Sequence, residues 1–189
     1  MKENISKCIE ESVQTITAVR KECMNEIQAV AEAILAAYRK EKKVIIFGNG
    51  GSAADSQHMA AELVGRFKKD RRAFAAIALT TNTSVITSLS NDYTFDCIFE
   101  RQIEALGQKD DIAIGISTSG TAKNVIAGLQ KARMSGLHTV ALTGARGDNL
   151  KEYADICLRV PAADTPRIQE AHILIIHIIC QLVEAALAS

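Results

Sequence analysis

Along the first forty residues, apolar side chains recur at gaps of three or four: Ile5, Ile9, Val13, Ile16, Val19, Cys23, Ile27, Val30 and Ile34. Charged residues fill the intervals, so the pattern predicts an amphipathic helix. Unbroken, such a helix would run ~35 residues and ~50 Å, longer than one small domain can cover. Either it breaks, or part of its apolar stripe packs on another subunit. The second reading is favoured, and an oligomer is expected with it.

From Lys43 the pattern changes to short apolar runs alternating with helical stretches. Val44 to Phe47, Ala75 to Leu79, Ile112 to Ile116, Thr139 to Leu142 and Ile156 to Val160 read as strands. Helices are expected from Ser52 to about Phe67, Ser84 to Ser90, Phe95 to Leu106, Asn124 to Ser135 and Thr165 to Leu187. Strands that do not alternate in polarity and are separated by helices point to a parallel sheet covered on both faces. The expected fold is an α/β three-layer sandwich around a five-stranded parallel sheet, plus the N-terminal helical segment. One domain is expected over 1–189, with 1–40 as an oligomerisation segment.

Composition narrows the partners. Of 189 residues, 48% are hydrophobic, and 22 basic side chains balance 22 acidic ones. That balance argues against general attraction to nucleic acid or to an anionic membrane. No apolar run approaching ~18 residues is evident, and Met1-Lys2-Glu3-Asn4 does not lead into a signal peptide, so a soluble cytoplasmic protein is expected. The five cysteines are odd in number and form no C-x-x-C pair. Most sit among aliphatic residues and read as small buried hydrophobes rather than as disulfides or nucleophiles. Two prolines and no tryptophan give no sign of a linker.

In parallel α/β sheets, ligands bind beyond the carboxyl ends of the strands. Two such ends carry small, hydroxyl-rich loops: Gly48-Asn49-Gly50-Gly51-Ser52 and Ser117-Thr118-Ser119-Gly120-Thr121. Each leads into a helix, whose free N–H groups and positive dipole end suit an anion. The plainer reading is two strand-to-helix turns with Ser or Thr caps. Two such loops on one sheet favour the anion site. Neither is a P-loop, since no Gly-Lys-Ser/Thr follows, and no G-x-G-x-x-G fingerprint occurs.

Two helices carry candidate ligands. His58 and Glu62 are four apart and so share a helix face, while Gln169, His172 and His177 lie on the last helix. An isolated histidine between Ile175-Ile176 and Ile178-Ile179 is more often a core residue than a ligand. If the helices meet, His58, Glu62, Gln169 and His177 offer two imidazoles, a carboxylate and an amide oxygen. That mix suits zinc, with nickel, iron or manganese as alternatives. Lys68-Lys69-Asp70-Arg71-Arg72 reads as a solvated loop and His138 as a loop residue. Arg66 is read either as a substrate contact or as a helix C-terminal charge. Pro166 is expected in the first turn of the last helix.

Gly48 to Asp55, Gln57-His58 through Glu62-Leu63, Asn91-Asp92-Tyr93, Ile116 to Gly120 and Thr165 to His172 together resemble the sedoheptulose 7-phosphate isomerases, also called phosphoheptose isomerases. These belong to the sugar-isomerase (SIS) superfamily, and the similarity runs nearly end to end. The resemblance implies a flavodoxin-like SIS fold and the conversion of sedoheptulose 7-phosphate to D-glycero-D-manno-heptose 7-phosphate, the first step of nucleotide-activated heptose biosynthesis. It implies that Asn49, Gly50, Gly51, Ser52, Asn91, Asp92 and Gln169 bind substrate, and that Ser117, Thr118 and Ser119 hold its phosphate. His58, Glu62, Gln169 and His177 match zinc-binding positions, and homotetramers with sites near subunit boundaries are implied. One departure is Ala122, where the family often has a serine; Thr121 beside it is a candidate substitute.

Ketose–aldose interconversion moves a proton between adjacent carbons through an enediol, which needs a base at carbon and an acid at oxygen. Glu62 and His177 are the expected pair, with Glu62 also touching substrate. A non-catalytic SIS protein is the alternative, either a sugar-phosphate-binding regulator or a partner of a replication initiator. Such proteins tend to lose the carboxylate, whereas Glu62 and His177 are both present. Isomerisation of a shorter or longer sugar phosphate is a further alternative.

Overall fold

The computed structural model describes residues 1–187. Five strands form one parallel sheet in the order β2-β1-β3-β4-β5: β1 Val44–Gly48, β2 Ala76–Ala78, β3 Ile112–Ser117, β4 His138–Gly144 and β5 Ile156–Val160. Seven α-helices surround it: α1 Lys2–Glu22, α2 Met24–Arg39, α3 Gly51–Val64, α4 Thr83–Asp92, α5 Ile98–Leu106, α6 Lys123–Met134 and α7 Thr165–Leu187. This is the expected three-layer architecture, with every predicted strand present. The stretch from Phe95 begins as a short 3-10 turn over Phe95–Cys97 before α5. His138, expected in a loop, is instead the exposed first residue of β4.

The sheet is apolar on both faces because alternate side chains enter two separate cores. Val44, Ile46, Ile112, Ile114, Ile116, Val140 and Leu142 pack with α2, α3 and α7. Ile45, Phe47, Ala113 and Ala141 pack with α5 and α6. This is why the strands read as continuous apolar runs rather than as alternating ones. The strand order reverses between β1 and β3, which pair from Val44↔Ile112 to Gly48↔Ile116. A crevice opens outside the carboxyl ends at such a switch point, and both small-residue loops start there.

The N-terminal stretch breaks, the less favoured of the two readings above. Cys23 lies between α1 and α2 with φ −116° and ψ 2°, and its thiol donates to the Arg159 carbonyl. The break turns α2 onto the sheet, burying Ile27, Val30 and Ile34. Val19 is also buried, but Ile5, Ile9 and Val13 on α1 remain more than half exposed. All five cysteines are free thiols. Burial pushes Cys23 up to about 11 and Cys180 up to about 12, so neither is a thiolate nucleophile near neutral pH.

α7 is the chain's most apolar helix, and by length and composition alone it could cross a bilayer. The sequence reading missed this, yet Ala171, Ile175, Ile176, Ile179 and Val183 are completely buried against the sheet and α3. Truncating one of these isoleucines to alanine would cost ~2–5 kcal/mol. The helix that will carry His177 is therefore among the most firmly held elements of the fold.

Candidate active site

β1 ends in Gly48, and Asn49-Gly50 turn directly into α3. A Cβ on Gly51 would collide with the amide of Gln169, so the glycine lets α7 cross tightly over the start of α3. The second loop is cinched by its own hydroxyls. The Gly120 N–H donates to Ser117 Oγ at 3.2 Å, and the Thr121 N–H to Ser119 Oγ at 3.2 Å. Gly120 has φ +71°, and a Cβ there would run into the Gly147 backbone. Ser117 is buried, whereas Ser119 and Thr121 are exposed and share a hydrogen bond.

One residue that the sequence reading overlooked joins the two loops. Asn49 Nδ2 donates to Asn124 Oδ1 at 2.8 Å, and Asn124 Nδ2 donates back to Asn49 Oδ1 at 2.9 Å. Asn124 is in the first turn of α6 and is buried. Ala122 is the residue that precedes α6, and it offers no side-chain cap. The first N–H groups of α6 therefore face the loop without a hydroxyl competitor.

The helices α3 and α7 do meet. His58 Nε2 lies 3.0 Å from His177 Nε2 and 3.2 Å from Glu62 Oε1. One donor atom from each of the three falls within 4.8 Å of the others. In a tetrahedral zinc site with bonds near 2.0–2.1 Å, ligand atoms keep ~3.3 Å from one another. The spacing and the N/N/O donor set thus fit such an ion. His177 is half-buried, with the Phe67 ring 5.8 Å from its own.

Gln169 is not part of this group within one chain. It sits over Gly51, about two helical turns upstream of His177, or ~12 Å along α7. Similarly, Glu62 lies ~15 Å along α3 from Ser52. Asn91 and Asp92 are exposed at the end of α4, where Asn91 Nδ2 donates to Asp92 Oδ1 at 2.8 Å. His172 is fully buried and faces the Thr143 carbonyl. Only a donor can serve that carbonyl, so Nε2 carries the proton and Nδ1 is left without a partner. Burial pushes the His172 ring down to about 4. Asp55, between the first loop and His58, is pushed up to about 6 by burial, against the pull of His58.

Arg71 corrects the reading of residues 68–72 as wholly solvated. Its side chain is 4% exposed and pairs with Glu184, itself 3% exposed. Neither residue stood out in the sequence, since a buried arginine inside a charged run leaves no periodic signal. Arg66 is exposed and lies beyond the end of α3.

Residues 8–144 match the family model described as the SIS domain. The chain is 49% identical to a phosphoheptose isomerase of Clostridium acetobutylicum, over 99% of this chain and 96% of the relative. It is 51% identical to a phosphoheptose isomerase of Aquifex aeolicus, over 97% of this chain and 96% of the relative. The solved phosphoheptose isomerase of Neisseria gonorrhoeae superposes with a TM-score of 0.93 at 39% identity, covering 97% of this chain and 98% of that one.

Proposed function

The chain belongs to the SIS-domain family and, within it, to the phosphoheptose isomerases, and from this premise we propose that Glu62 and His177 carry its isomerisation. It is a soluble sugar-phosphate isomerase of heptose biosynthesis, taking sedoheptulose 7-phosphate to D-glycero-D-manno-heptose 7-phosphate. The observation that carries the residue assignment is the meeting of Glu62 and His177, brought from two helices into one cluster.

Glu62 takes the proton from the carbon of the ketose and returns it to the neighbouring carbon. His177 delivers a proton to the carbonyl oxygen and recovers one from the adjacent hydroxyl, so the sugar passes through an enediol with no net change in atoms. Ser117, Thr118 and Ser119, with the free N–H groups of α6, bind the phosphate and fix the far end of the sugar. Asn49, Gly50, Gly51 and Ser52 line the pocket, with Gln169 above Gly51 and Asn91 and Asp92 as further substrate contacts. Holding both ends of the sugar turns binding energy into alignment of the reacting carbons.

His58, Glu62 and His177 would hold one zinc ion, with Gln169 as the fourth donor that the resemblance assigns. Bound there, zinc supplies Lewis acidity toward the substrate oxygens. The axial gap between Gln169 and the other three supports a site completed at a subunit boundary. The exposed Ile5, Ile9 and Val13 stripe supports residues 1–40 as an oligomerisation segment, in a cytoplasmic homotetramer. The non-catalytic alternative is not favoured, because both working side chains are present and adjacent.

Incubation with sedoheptulose 7-phosphate, followed by NMR, tests the function. An aldose 7-phosphate is expected, and its absence in metal-replete protein would overturn the assignment. Elemental analysis tests the ion: about one zinc per chain is expected, and full activity in chelated, zinc-free protein would remove the metal from the account.

A further inference from the structure

Glu62 and His177 belong to different helices, so the axial register of α3 on α7 sets their separation. The last carbonyls of a helix have no partner within it, and at the end of α3 one side chain takes two of them. Arg71 donates through Nη2 to the Glu62 carbonyl at 2.8 Å, and through Nη1 to the carbonyls of Leu63 and Gly65 at 3.0 and 3.1 Å. Its Nε donates to Glu184 Oε1 on α7 at 3.2 Å. The same carboxylate accepts from the N–H groups of Phe67, Lys68 and Lys69 at 2.9, 2.7 and 2.9 Å. The guanidinium also lies over the Phe74 ring, 4.0 Å from its centroid. Phe67, thus fixed, faces His177.

We propose that the buried Arg71–Glu184 pair is a positioning device for the active site, clasping the Glu62 end of α3 to α7 and seating Phe67 against His177. The proposal rests on Glu62 and His177 being the working groups. A fork-shaped guanidinium can hold several carbonyls and a carboxylate in one plane, and an ammonium cannot. A buried pair of this kind is a weak source of net stability. Its bonds go instead to the backbone of one working residue and to the loop that packs on the other.

Arg71→Lys and Glu184→Gln test the clasp, each checked for folding by circular dichroism. Because α3 is then free to shift on α7, zinc affinity, read by competition with a chromogenic chelator, is expected to weaken 10–100-fold. Turnover is expected to fall at least tenfold, with KM changed by less than about threefold, as for a defect in transition-state alignment. In metal-free protein, the His177 Cε1–H resonance, shifted by the Phe67 ring, is expected to move. Variants with a lowered Tm but unchanged resonance, zinc affinity and turnover would overturn the proposal, leaving the pair as a loop anchor. If a single variant fails to fold, Arg71→Gln with Glu184→Gln removes both charges together and avoids a lone buried charge; its His177 resonance then decides. Should wild-type protein neither bind zinc nor isomerise the sugar, the functional assignment falls, while the metal-free resonance still decides the clasp.

Discussion

Replacing Asn124 isolates the link between the two loops. Asn124→Ala removes two reciprocal amide hydrogen bonds, each worth ~0.5–1.5 kcal/mol net, for a stability loss of ~1–3 kcal/mol. In a domain of this size each kcal/mol lowers Tm by roughly 2–4 °C. A fall of about 2–12 °C is therefore expected by calorimetry. The same change frees Asn49 in the proposed substrate pocket. If half of the lost energy had been holding Asn49 for substrate, kcat/KM would fall about 2–13-fold, at ~1.36 kcal/mol per tenfold. Asn124→Asp sharpens the test. Its carboxylate can accept from Asn49 Nδ2, but it sets a negative charge beside the proposed phosphate loop. It is expected to raise KM beyond the alanine value. Initial rates across substrate concentration, followed by NMR, measure both. Wild-type Tm and kcat/KM in Asn124→Ala, or a KM for Asn124→Asp no higher than for Asn124→Ala, would refute the coupling.

Gly120→Ala forces a side chain onto a left-handed residue and into the Gly147 backbone, so a loss above ~1 kcal/mol is expected, together with a raised KM; a folded variant with normal KM would count against the loop as the phosphate cradle. His58→Ala is expected to lower the zinc content of purified protein well below that of wild type, and unchanged content would move the ion elsewhere. His172 has a folded value depressed to about 4 from 6.5, so its neutral form contributes stability above pH 6.5 that drains away as pH falls toward 4, by up to ~3 kcal/mol. Urea unfolding at pH 7 and pH 4.5 is expected to show a smaller decline in His172→Leu than in wild type, and equal declines would refute the reading.

The sheet was legible because its central strands are buried on both faces and every strand but β4 is followed by a clear helical stretch. The site loops were legible because glycines and hydroxyls stand where strands end. What escaped depends on distance across the fold. The break at Cys23 leaves the three-and-four spacing of apolar residues intact, so periodicity alone cannot see it. Asn124 looks like an ordinary residue of a helical first turn until Asn49 is placed opposite. Arg71 sits in a run of charges whose other members are largely exposed, and Glu184 lies more than a hundred residues away. The meeting of His58, Glu62 and His177 followed from resemblance rather than spacing, since 115 residues separate Glu62 from His177.

The chemistry at Glu62 is tested most directly by Glu62→Gln, incubated with sedoheptulose 7-phosphate in deuterated water and followed by NMR. Wild-type protein is expected to form the aldose with deuterium entering at the carbon that receives the proton. The variant is expected to do so at least ~10²-fold more slowly while keeping its fold. Turnover and deuterium incorporation within a few-fold of wild type would contradict a carboxylate base at this position.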